Sequence, residues 1–95
     1  MPQRLRIGDV VRYRDPYMPS QCTGIVIGHP HHAAEHDVVV IAPDPAQGRR
    51  WEVLNDDWCS QPLGRDPLRA RRERYRLRQG APRGFLQKPP RGWSR

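Results

Sequence analysis

Six arginines crowd one stretch, Asp66 to Gly80: Arg69, Arg71, Arg72, Arg74, Arg76 and Arg78, opposed within it by Asp66 and Glu73. Guanidinium pairs bidentately with phosphate, stacks on bases and stays charged at any working pH. Charges of one sign at this density repel unless something anionic neutralises them, so the stretch points to a polyanion or an acidic protein surface. Tyr75 lies among the arginines, and Phe85 and Trp93 follow. Aromatic rings interleaved with cations suit stacking on unpaired bases. Arg83 and Lys88 extend the cationic set. A nucleic-acid surface would therefore comprise the six arginines with Tyr75, Arg83, Lys88 and Trp93. If about six arginines neutralised phosphates, affinity would fall roughly a thousandfold between about 50 and 200 mM salt.

Other chemistries are more weakly represented. His32-Ala33-Ala34-Glu35-His36 fits the H-x-x-E-H pattern of inverted zincins. That chemistry needs a third ligand and a water held by the glutamate. Here the pattern falls in a short connection after Pro30, in a chain too small to frame a protease cleft. His32, Glu35 and His36 thus stand as the metal alternative to an ordinary loop that gains charge near about pH 6. A structural zinc drawing on Cys22 or Cys59 has no C-x-x-C to support it. No nucleophile–base pair, paired acid–base carboxylates or Gly-rich phosphate loop is present, so the chain reads as non-enzymatic and without a cofactor. Asp56 and Asp57 suit the start of a helical turn, with Asn55 as its cap.

The elements that must carry these residues divide by charge. Residues 1–64 hold six arginines against eight acids, a net of −2, whereas residues 65–95 net +9. Leu5–Arg14 alternates as a half-buried strand, and Thr23–Gly28 is a β-branched run between glycines. Asp37–Ala42 is the most apolar run and should be a central strand. Arg49–Leu54 alternates again, placing Trp51 and Val53 on one face, and Cys59–Pro62 would be a short last strand. Trp51 and Trp58 are expected to fill the core or its rim. The intervening Asp15–Ser20 loop carries two prolines, and Tyr17 and Met18 at its tip are candidates for partner contact. This pattern predicts a mainly β chain: a small antiparallel barrel over 1–64, an Arg-rich helix over 65–80 and an extended basic tail over 81–95. Asp66 suits the helix N-cap, Pro67 its first position and Gly80 the residue past its end. On the helix Leu68 and Tyr75 fall together, opposite Ala70 and Leu77. Phe85, Leu86 and Trp93 are apolar anchors in a tail that has no core of its own.

Ile7-Gly8-Asp9-x-Val11, then Thr23-Gly24-Ile25-Val26, Val38–Ile41 and Trp51–Leu54, resembles the strand order of SH3-like barrels of the KOW type. The loop and strand DPYMPSQCTGIV also resembles the barrel of the nitrile hydratase β subunit. The KOW resemblance implies a fold over residues 5–62 and an association with RNA, ribosomes or RNA polymerase. The long proline-rich first loop and the His-rich connection depart from it.

Two readings of function follow. In the first, the barrel presents the Arg-rich helix and tail to a phosphate backbone, with RNA and DNA left undistinguished. In the second, the chain is a small structural or adaptor subunit of a large assembly, a phage particle or a multi-subunit complex, whose tail is a protein-binding arm. No apolar run approaches a membrane span and MPQRLRIGD has no apolar h-region, so the expected location is the cytoplasm, or a virion for a phage-encoded chain.

Overall fold

The structure is a computed structural model and describes residues 5–14, 21–31, 38–44, 51–81 and 84–87. Five strands, β1 (Asp9–Tyr13), β2 (Cys22–Gly28), β3 (Val38–Pro43), β4 (Glu52–Asn55) and β5 (Gly64–Arg65), precede one helix, α1 (Pro67–Gly80). They form an antiparallel sheet in the order β4-β3-β2-β1-β5. The most apolar run, β3, is flanked on both sides. The sheet is not closed into a barrel, which corrects the sequence expectation: β4 and β5 stand at opposite ends of the strand order. The segment expected as a last strand is too short to close it. After β4 the chain makes a 3-10 turn at Asp56–Trp58, runs beside β1 through one bridge at Cys59 and a bond from Ser60 N–H to the Arg12 carbonyl at 2.7 Å, and forms a paired strand with it only at Gly64–Arg65. Pro62 has no N–H to give to a ladder, and the next donor along, Leu63 N–H, reaches Val10 carbonyl at 2.7 Å. Asn55 flanks the 3-10 turn but makes no side-chain cap bond.

Side chains alternate across a strand, so a run that is apolar at every position must be covered on both faces. That is the arrangement of β2 and β3. One face gathers Leu5, Val11, Tyr13, Cys22, Val26, Val39, Ile41 and Leu54, with Cys59 packed against them. The opposite face gathers Ile7, Ile25, Ile27, Val40 and Ala42, and is covered by Ala70 and Leu77 of α1 together with Trp51, Ala81, Phe85 and Leu86. The helix is therefore seated on the sheet and shares its core. Trp51 and Val53 part company: Trp51 packs toward α1, whereas Val53 is 50% exposed on the edge strand. Trp58 is at the surface.

Cys22 of β2 and Cys59, at its isolated bridge, flank Tyr13 on its two sides. Two strand spacings put their backbones about 10 Å apart, beyond the roughly 7 Å a disulfide spans. Burial and the neighbouring Asp56 carboxylate push the Cys59 thiol up to about 12.

Candidate nucleic-acid interface

The arginine stretch is mounted at its start by the Gly8–Asp9 turn. Gly8 has φ +97°, a conformation that favours glycine, and a Cβ there would lie 3.3 Å from the Cα of Pro67. The Gly8 carbonyl accepts from Asp66 N–H at 2.8 Å. Asp9 is 4% exposed; its carboxylate accepts from Arg6 N–H at 2.8 Å and pairs with Arg65 Nε at 3.3 Å. Arg65 also donates from Nη2 to the Ile7 carbonyl at 3.0 Å. These bonds fix the residue pair immediately before α1. Asp66 then caps the helix, its Oδ1 accepting from Arg69 N–H at 3.1 Å, with Pro67 in the first turn. Gly80 is the last helical residue and Ala81 the C-cap, whose N–H reaches the Leu77 carbonyl.

The six arginines do not form one array. Arg74 is 4% exposed, between Ala70 and Leu77 on the seated face. Its Nη1 donates to the Ile27 carbonyl and its Nη2 to the Gln87 carbonyl at 3.5 Å. The β2–β3 register shifts between Val26 and Gly28, leaving Ile27 as the extra residue of a bulge. Gly28 gives the guanidinium room, since a Cβ there would lie 2.7 Å from Arg74 Nη1 and 3.2 Å from Leu86 Cδ2. Burial, and secondarily the like charge of Arg78 one turn on, lower the pKa of Arg74. This arginine satisfies backbone acceptors inside the fold and is not presented to a phosphate. Arg69 is half-buried.

Arg71, Arg72, Arg76 and Arg78 are exposed, with Tyr75 at 65% and Leu68 at 68%. Both acids of the stretch are occupied: Asp66 caps the helix, and Glu73, its side chain 14% exposed, pairs with Arg76 Nη1 at 3.2 Å. The Arg76 side chain remains 69% exposed. An ion pair with one partner in water contributes little, and the exposed guanidinium stays accessible to a second anion. The outward face of α1 is thus a cationic surface with an aromatic ring in it.

The tail contributes through Gly84–Gln87. Leu86 bridges Pro30, His31 N–H donates to the Phe85 carbonyl at 2.7 Å, and Gln87 N–H donates to the His29 carbonyl at 2.8 Å. Gln87 Nε2 adds a bond to the Pro30 carbonyl at 3.2 Å. Phe85 and Leu86 are therefore spent on the protein's own second core. Arg83, Lys88 and Trp93, the loop residues Tyr17 and Met18, and His32, Glu35 and His36 lie outside the described residues. Among the described residues no three His, Cys, Asp or Glu side chains gather as a metal site, and no helix is long and apolar enough to cross a membrane. An open recess of about 580 Å³ beside β5 is lined by Arg6, Asp9, Gln61, Pro62, Leu63, Gly64 and Arg65. The acid in its lining, Asp9, is already engaged by Arg65 and the Arg6 amide.

The role of Arg74 is the feature that charge counting missed. A signal was available, since at about 100° per residue position 74 falls between 70 and 77.

No protein-family model, curated protein or solved structure matches the chain. What it can do is argued from its own residues.

Proposed function

We propose that the protein is a non-enzymatic nucleic-acid-binding protein that lays the outward face of α1 along a phosphate backbone. The observation that carries this reading is the excess of exposed guanidinium groups on the helix. Arg71, Arg72, Arg76 and Arg78 face outward, and both acids are engaged within the helix itself, Asp66 as its N-cap and Glu73 by Arg76. Phosphate contacts position a protein without specifying bases, so the reading includes no sequence preference. The KOW-type SH3-like resemblance remains part of the proposal, supported by the Gly8–Asp9 turn and by strands running where the resembling segments lie.

Four outward arginines, rather than six, set the expected strength of the salt effect. At roughly 0.7 to 0.9 of a counterion per phosphate contact, the log–log slope is about −2.8 on single strands and about −3.6 on duplexes. Affinity should then fall about 50- to 150-fold between about 50 and 200 mM salt. The test titrates fluorescent oligonucleotides with the full chain across that range, alongside a variant with all four arginines changed to glutamine. Unchanged binding and slope in the variant would remove the helix from the interface. A salt-insensitive, stoichiometric acidic protein recovered in place of nucleic acid would replace this reading with that of an assembly subunit.

A further inference from the structure

We infer that the ligand of this face is single-stranded nucleic acid, with a base stacked on Tyr75; the inference rests on the reading above and narrows it. Tyr75 is 65% exposed in the middle of α1. Among the described residues folding gives no reason for it there, because tyrosine is a weaker helix former than arginine or glutamine and here gains little burial. At about 100° per residue, the ring stands between Arg71 and Arg78 on one side and Arg72 and Arg76 on the other. The two pairs span about 10 Å or less along the axis, the reach of two or three nucleotides. A ring flanked by guanidinium groups is a stacking platform for an unpaired base beside a neutralised backbone.

The seating of the helix argues against a duplex. Reading a major groove needs an element that penetrates roughly 8.5 Å into a slot about 12 Å wide. A helix is about 10–12 Å across with its side chains, and the inner side of α1 is buried through Ala70, Arg74 and Leu77, with Arg69 and Glu73 half-buried at its flank. The sheet beneath belongs to a body measuring 34 × 33 × 25 Å, wider than the groove. A body of that width does little to enter a groove, whereas a ring such as Tyr75 can stack only on a base that has left its partner. A single strand can offer its bases to a low convex ridge.

The experiment compares fluorescence anisotropy of the full chain with a twelve-nucleotide mixed-sequence single strand, as RNA and as DNA, and with the corresponding twelve-base-pair duplexes. The single strands should bind at least about tenfold tighter than the duplexes. Tyr75→Ala should weaken single-strand binding by about 5- to 100-fold and move duplex binding less than about twofold, and Tyr75→Phe should restore most of the loss. The RNA and DNA arms show whether the 2′-hydroxyl adds affinity; a preference for either single strand supports the inference. Equal or tighter duplex binding, or a silent Tyr75→Ala, overturns it while leaving the phosphate-binding reading intact. Displacement of the strand by polyglutamate at equal charge, as effectively as by unlabelled strand, also overturns it. Absence of binding to every probe overturns both.

Discussion

Arg72 and Arg74 lie two positions apart on one helix and do opposite work. Arg72 points outward with Arg71, Arg76 and Arg78 around Tyr75, whereas Arg74 is buried against the bulge of β2. The same side chain is a solvated charge on one face and a hydrogen-bond donor to orphaned backbone on the other. Residue type therefore sets what a group can do, and the face of the element sets which of those things it does. For this helix the inner face should govern stability and the outer face binding, with little exchange between them.

The sharpest way to break that division is at its inner edge. Leu77→Ala should cost about 2–5 kcal/mol of folding stability in urea denaturation, because it empties the contact between α1 and the second core. Arg74→Met keeps the stem's packing but strands the Ile27 carbonyl, and should cost about 1–3 kcal/mol. A loss no greater than that of Arg72→Met would erase the distinction between the two arginines. Gly28→Ala presses on the same guanidinium from the strand side and should cost about 1–3 kcal/mol by overpacking.

The sheet's other face offers a pH test of the same idea. Cys59 has its folded pKa raised from 9.0 to about 12, chiefly by burial. For an acid shifted upward, the neutral thiol is the form the fold favours. Its contribution is complete below pH 9.0 and declines as pH rises toward about 12. The difference in stability between the parent chain and Cys59→Ala should shrink by at most about 1 kcal/mol by about pH 10, since solvent screens a thiol that is only half-buried. The smallest expected effect is Arg72→Ala, within about 0.5 kcal/mol in stability. It should nonetheless reduce the salt slope of nucleic-acid binding by about 0.7–0.9.

Much of this arrangement was legible in the residues. Asp66 and Pro67 mark the helix start that the structure has, and the opposition of Leu68 and Tyr75 to Ala70 and Leu77 holds. The uninterrupted runs TGIVIG and VVVIA already required cover on both faces, which a sheet curled over one core cannot supply alone. The missing layer was in plain view as α1 and Phe85–Leu86, but arginine-rich sequence reads as surface, so the helix looked like an appendage. Arg74 was obscured by the same habit. The last strand was misplaced because Cys59–Pro62 has strand-like residues but makes only one bridge, and the paired segment, Gly64–Arg65, has none of the usual apolar signal.

The bond from Arg74 to Ile27 joins residues 47 apart, and that from Gln87 to Pro30 joins residues 57 apart. The β1–β2, β2–β3 and β3–β4 pairings join much nearer neighbours. Contacts of long sequence separation close late, after the chain has lost the entropy of the intervening loop. During synthesis Ile25, Ile27 and Val40 would stay uncovered until Leu86 had cleared the ribosome. In that interval the nascent sheet carries an uncovered apolar flank, which α1 and then Phe85 and Leu86 close in turn.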